Sequence, residues 1–343
     1  MSVPSGVERK SLPAIRRTTT LAQPPDGIEP GNIRVSVAGA HTFMPPGPDD
    51  RSMTDEELVR EKVAQARSIL ADAEADAWLT FARETAEIRE PALPYLLGFD
   101  VVWPTMVLVA REESTVVIGR HDAPNAELLG VHDVVAYDES LAGPFHDWLE
   151  RVDPEVLAVN YSKDDNVADG LTHGMYRRLV DLLEGTGYED ALASAEPIVE
   201  RVRGIKTETE RARIEAAAET TEGMFDELAA AWGPDWREAD VAAFLHGRMN
   251  EEGYGAAWSW DYCPTVHAGG DAPVGHTLPG DRTVPPGELL HVDFGVVRDG
   301  YAADLQRMFY RPDGGEGPPA GLRAALQEVR SAIRARHEDQ EPG

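Results

Sequence analysis

A single cysteine, Cys263, serves all 343 residues, which excludes an intrachain disulfide and any structural zinc site built from several thiolates. No run of 18 apolar residues occurs, and the first 30 residues lack the apolar stretch of a secretory signal, so export and membrane insertion are not expected. Lysine is almost missing. Lys10, Lys62, Lys163 and Lys206 are the whole set, and every other basic side chain is arginine. With 32 basic against 61 acidic residues the formal net charge is -29, which repels phosphate backbones and anionic lipid headgroups alike. Nucleic acid and membranes are thereby excluded as partners, and a reducing, cytoplasmic setting fits. An acidic, lysine-poor surface suits a salt-rich, halophilic cytoplasm. It also suits a GC-rich genome that favours arginine codons and a merely solvated acidic face.

What is present divides the chain. Its length allows two ordinary domains. Residues 1–52 are rich in Pro, Gly, Ser and Thr and keep no sustained period, so they are expected to be a disordered leader, or to lie upstream of a true start at Met53. From there to residue 195 an α/β domain is expected. Thr54 can cap a helix whose Glu57 lies three residues on, and Leu58, Val59, Val63, Ala66, Ile69 and Leu70 form its apolar stripe. Strands are expected at Ala77–Phe81, Thr105–Ala110, Thr115–Ile118, Asp133–Tyr137 and Val156–Asn160. Helices are expected at Ala123–Leu129, Pro144–Val152 and Val167–Leu183, alternating with them. His121, His132, His146 and His173 are scattered here, and isolated histidines are more often surface or satisfied core groups than ligands.

Residues 196–343 read as a second domain. Thr207 and Glu210 make a capping box, and Ile214, Ala217, Ala218, Thr221, Met224, Phe225 and Leu228 follow at spacings that bury one face of a long helix ending at Gly233-Pro234. A further amphipathic helix covers Glu238–Asn250. The chain then turns to strands. Glu288–Val297 and Tyr301–Tyr310 alternate as the arms of a β-hairpin around the tight-turn signal Asp299-Gly300. If those two residues form the loop, Arg298 pairs with Tyr301 and Asp304 lies opposite Gly295. Asp293 is then two residues along on the same face, with β-carbons roughly 7–8 Å apart.

Two ionised aspartates on one half-buried sheet face repel each other and cost desolvation energy unless a cation neutralises them. A hard or borderline divalent ion would relieve both problems. The alternative is that one Asp pairs with Arg307 and the other faces solvent. Upstream, the Gly/Pro-rich loop from Tyr262 to Glu288 carries His267 and His276, either of which could hang over a cleft or stand in water.

The stretch from Pro264 to Tyr310, with GGDAPVGHT, HVDFG and RDGYAADLQR, resembles the pita-bread metallopeptidases of family M24: methionine aminopeptidase, aminopeptidase P and prolidase, with creatinase as a cousin without metal. The segment RVRGIKTETERARIEAA and the preceding α/β region favour the Xaa-Pro branch of aminopeptidase P and prolidase. The resemblance implies a creatinase-like α/β N-terminal domain followed by an α+β pita-bread domain. It implies that Asp293 chelates one metal ion and Asp304 bridges two, the ions being Mn, Co or Zn. It also implies that His276 faces the scissile bond and that Arg307 is structural. A proline-containing peptide is the implied substrate, and a homodimer is in keeping with relatives.

The family completes its site with a His and two Glu that follow the hairpin. Here one helix, roughly Pro319–Arg336, follows, and His337 with Glu338 stands at its polar end. The expectation is therefore an incomplete pita-bread domain, weakly active or inactive as it stands, arising by truncation, by frameshift or by supply of the rest from another chain. Two rivals remain: a non-catalytic binding protein on the same fold, and a creatinase-like C–N hydrolase that needs no metal.

Overall fold

A computed structural model describes residues 32–33, 56–273, 275–315 and 317–338, with the backbone alone at 32–33 and 336–338. Of the expected leader, 1–52, only the two-residue strand β1 (Asn32–Ile33) lies among them, and Thr54 lies outside. The first helix, α1 (Glu56–Ala71), buries the expected stripe from Leu58 to Leu70.

Next come β2 (Ala77–Ala82), α2 (Leu93–Leu96), β3 (Thr105–Ala110), β4 (Ser114–Gly119), α3 (Ala123–Leu129), β5 (Asp133–Tyr137), α4 (Ala142–Val152), β6 (Leu157–Val159), α5 (His173–Leu183) and β7 (Leu192–Ser194). The six strands form one mixed sheet in the order β5-β4-β3-β2-β6-β7. Alternation sends Trp78, Val107, Val109, Val116 and Ile118 to a core shared with α1, α2 and α3. Leu79, Phe81, Met106, Leu108 and Val117 go to the opposite core, shared with α4 and α5. Helices therefore cover both faces, which is why the central strands β2, β3 and β4 are buried along their whole length.

The expected helix from Val167 starts only at His173. Thr172 caps it by accepting the Met175 N–H at 3.3 Å. Upstream, Leu171 N–H donates to the Asn160 carbonyl at 2.8 Å, and a β-carbon on Gly170 would meet Glu90 Oε2 at 2.0 Å. That segment is held against the sheet by Glu90 and Asn160, and helical periodicity alone does not register such a tether. Asn160 Nδ2 donates to Glu90 Oε1 (2.9 Å) and to Thr80 Oγ1 (3.2 Å), while its Oδ1 accepts from Trp78 Nε1 (2.6 Å). Glu90 Oε2 is buried with no hydrogen-bond partner. Burial pushes its carboxyl up to about 7, against the hydrogen bonds from Ala92 and Asn160.

Two of the scattered histidines are satisfied internally. His132 Nε2 donates to the Leu96 carbonyl and its Nδ1 accepts from Ser114, both at 2.6 Å, and burial lowers its pKa. His146 Nε2 donates to the Leu182 carbonyl at 2.7 Å.

The remainder runs α6 (Glu196–Gly204), α7 (Glu208–Ala231), α8 (Glu238–Glu252), β8 (Gly255–Ala256), β9 (Thr265–Ala268), β10 (Leu289–Phe294), β11 (Val296–Arg298), β12 (Tyr301–Ala302), β13 (Leu305–Tyr310) and α9 (Ala320–Glu338). Helix α7 opens on the expected Thr207/Glu210 capping box. Sheet β1-β13-β10-β9 lays Val266, Leu290, Val292, Phe294, Leu305 and Phe309 on α7 and α8, and its other face carries His267, His291, Asp293 and Gln306 beside Leu289, Met308 and Tyr310. A smaller sheet, β12-β11-β8, continues the hairpin to its tip.

Beneath that tip lies a buried ionic cluster. Lys62 of α1 and Glu210 of α7, both fully enclosed, pair at 2.5 Å. Lys62 also donates to the carbonyls of Val202 (2.5 Å) and Ile205 (3.1 Å), and Tyr301 O–H donates to the other Glu210 oxygen at 3.1 Å. Desolvation lowers the Lys62 pKa despite the opposing pull of Glu210.

Candidate functional site

The hairpin register follows from its turn. Asp299 (φ 50°) and Gly300 (φ 78°) both take positive φ, the requirement of a type I′ connection, and Arg298 pairs with Tyr301 as expected. The register stays constant down the arms: Val297 faces Ala302, Phe294 faces Leu305 and Asp293 faces Gln306. Asp304 therefore lies opposite Gly295, and Asp293 and Asp304 share the polar face.

Each long arm is interrupted here, at Gly295 and at Ala303–Asp304. Gly295 has no space for a side chain. A β-carbon there would meet the Ala303 carbonyl oxygen at 1.7 Å, so the residue admits a close backbone approach. Its own carbonyl accepts from Ala257 N–H (3.0 Å) and from the buried Cys263 Sγ (3.3 Å). Burial pushes the Cys263 thiol up to about 11. Gly295→Ala is expected to cost about 1–3 kcal/mol through this clash. Thiol labelling should show it: Cys263 stays unlabelled in the native protein and becomes reactive in the variant.

The carboxyl groups of Asp293 and Asp304 are within hydrogen-bond reach of each other. Ionised carboxylates only accept, so a hydrogen bond between the two would need a proton on one of them. Burial first, then the charge of Asp304 and this hydrogen bond, raise Asp293 to about 7. Asp293 Oδ1 is buried without a hydrogen-bond partner, while Oδ2 accepts from Gln306 Nε2 at 3.4 Å.

An orphaned, buried acceptor beside a second carboxylate is a donor set suited to a hard or borderline cation. The two aspartates fit that role. Among the described residues, no group of three or more His, Cys, Asp or Glu is placed to hold a metal ion, so the pair gains no third ligand there.

Arg307 points to the opposite face, buried, donating to Glu222 of α7 at 2.8 Å with its guanidinium 5.3 Å from the Phe225 ring centre. It braces sheet against helix. His276 is exposed on the loop between β9 and β10, beside Thr277, and the structure places no contact between it and the aspartates among the described residues. The side chains of His337 and Glu338 lie outside the described residues.

His267, grouped with the loop on sequence grounds, stands instead on β9, directly opposite His291 of β10. The two histidines and Gln306 share the aspartates' face. The available signal was alternation: His291 is two residues before Asp293, and Gln306 two after Asp304. Proline and glycine on both sides of the Thr-Val-His-Ala quartet masked the strand.

Residues 212–343 match Metallopeptidase family M24, which bears out the resemblance read from the hairpin. Among solved structures, aminopeptidase P from E. coli superposes with a TM-score of 0.58 at 18% identity, over 83% of this chain and 69% of its own. The prolidase of Pyrococcus horikoshii OT3 gives 0.55 at 20% identity, over 82% and 73%. The X-Pro aminopeptidase of Thermotoga maritima MSB8 gives 0.56 at 19% identity, over 78% and 69%. The sequence matches no curated protein. These likenesses show the fold: an α/β N-terminal region followed by a pita-bread segment, as the sequence suggested. No helix among the described residues is long and apolar enough to cross a membrane.

Proposed function

We propose that this chain contributes Asp293 and Asp304 as ligands to the divalent-metal centre of an Xaa-Pro peptidase-like hydrolase. The observation that carries the reading is the juxtaposed pair itself, with a buried oxygen of Asp293 lacking a partner. A divalent ion (Mn, Co or Zn) held there would supply Lewis-acid polarisation of a peptide carbonyl. The chain's own residues supply the acceptors, and His276 stands on the loop where a substrate-facing imidazole is expected. A peptide with proline after the scissile bond is the substrate class. Pairing into a homodimer and a cytoplasmic location belong to the same reading.

Two carboxylates bind a divalent ion more weakly than the three or more protein ligands of usual catalytic sites. Manganese titrated calorimetrically at pH 8, where Asp293 is ionised, should give a weak but saturable signal that disappears in Asp293→Ala and in Asp304→Ala. No saturable heat at millimolar manganese, or binding unaffected by both substitutions, would overturn the proposal.

A further inference from the structure

On the polar face beside the acid pair, four hydrogen bonds run in series. Thr277 Oγ1 lies 3.2 Å from His267 Nε2, and His267 Nδ1 lies 3.2 Å from His291 Nδ1. His291 Nε2 lies 3.1 Å from Gln306 Oε1, and Gln306 Nε2 reaches Asp293 Oδ2 at 3.4 Å. The imidazole planes are 15° apart with centroids 5.5 Å apart. An imidazole ring is small, so that centroid separation with a 3.2 Å nitrogen contact puts both nitrogens along the line joining the ring centres. The rings therefore meet edge to edge, and their contact is an N–H···N hydrogen bond carrying one proton.

The direction of every link follows from its end. Gln306 presents its amide nitrogen to Asp293 Oδ2, which accepts, and its amide oxygen to His291. That oxygen needs a donor, so His291 is protonated on Nε2 and bare on Nδ1. His267 must then carry its proton on Nδ1, which leaves its Nε2 to accept from the Thr277 hydroxyl. All four donors point toward the acid pair.

We infer that Thr277, His267, His291 and Gln306 form a polarised strut that fixes the Gln306 N–H on Asp293 and ties that carboxylate to the loop carrying His276. The three strand residues are positioning residues. A glutamine amide free of its histidine could turn its carbonyl oxygen toward the carboxylate, and the His291 bond prevents this. Hydrogen-bonded partners behind a metal ligand commonly govern affinity by 10–100-fold when lost. The strut's bearing on metal affinity rests on the reading of Asp293 as a ligand, whereas its tautomers do not.

The test is nitrogen-15 NMR of the histidine side chains of the whole chain at pH 8, joined to manganese calorimetry. Expected are the Nδ1–H tautomer for His267, the Nε2–H tautomer for His291 and a scalar coupling between their Nδ1 atoms. His291→Leu should weaken manganese binding by about 10–100-fold. His291→Gln, whose amide N–H occupies the Nε2 position, should restore most of that loss. Reversed tautomers, or an absent nitrogen–nitrogen coupling, would overturn the strut. So would unchanged affinity in His291→Leu when Asp293→Ala abolishes binding. If Asp293→Ala leaves binding intact, the metal reading fails by itself, and the tautomers and coupling still decide the strut.

Discussion

Lys62→Met is expected to lower stability by about 3–5 kcal/mol, the cost of leaving one member of a buried ion pair without its partner. The loss does not come from a strong attraction. Desolvation already lowers the Lys62 pKa, so the pair contributes little net energy compared with apolar residues of the same size. What the substitution removes is the neutraliser of Glu210, which is wholly enclosed and holds both the Thr207 N–H (2.8 Å) and the Tyr301 hydroxyl (3.1 Å). Glu210→Gln should be similarly harmful, since it strands an ammonium facing the Val202 and Ile205 carbonyls. The double variant Lys62→Met/Glu210→Gln should be more stable than either single one, because neither uncompensated charge remains. Urea unfolding of the four proteins measures this as a double-mutant cycle. Additive losses would show that the two side chains do not depend on each other.

The second large effect is one of pH. Glu90 keeps its proton in the folded chain up to about 7, whereas its ordinary value is 4.5. Between those values the native state holds a proton that the unfolded state has released. Rising pH therefore favours unfolding through that window and has no further effect through this group above it. At roughly 1.4 kcal/mol per pH unit the full window is worth about 3 kcal/mol. Asp293, also raised to about 7, adds a slope of the same sign, so the informative quantity is a difference between proteins. Glu90→Gln keeps an acceptor for Asn160 and Ala92 but cannot ionise. Its stability relative to wild type should rise by about 3 kcal/mol between pH 4.5 and 7.5. Thermal or urea unfolding at the two pH values checks this, and a pH-independent difference would place the ionisation of Glu90 elsewhere.

Much of the hairpin was legible because its determinants are local. An Asp-Gly pair that tolerates positive φ, flanked by alternating arms, fixes the register without reference to the rest of the chain, and with the register goes the proximity of Asp293 and Asp304. The Thr207/Glu210 capping box was legible for the same reason. Residues whose roles are set by distant partners were not. Glu210 reads as a cap, yet its second task needs Lys62, and no spacing rule spans that interval. His267 and His291 meet only because β9 pairs with β10 across a Gly/Pro-rich loop, so their contact depends on strand pairing that one sequence does not state. The overextended helix at Val167 fails likewise: the tether through Glu90 and Asn160 is tertiary.

Glu210 serves the helix start, the ammonium of α1 and the hydroxyl at the hairpin tip together. Mutational drift at this position has no neutral single step, since loss of the charge strands the Lys62 ammonium and loss of the acceptor oxygens strands the Thr207 N–H and the Tyr301 hydroxyl as well. Lineages that lose the glutamate should be those that have also exchanged Lys62 and Tyr301, and the three sites should change as a set.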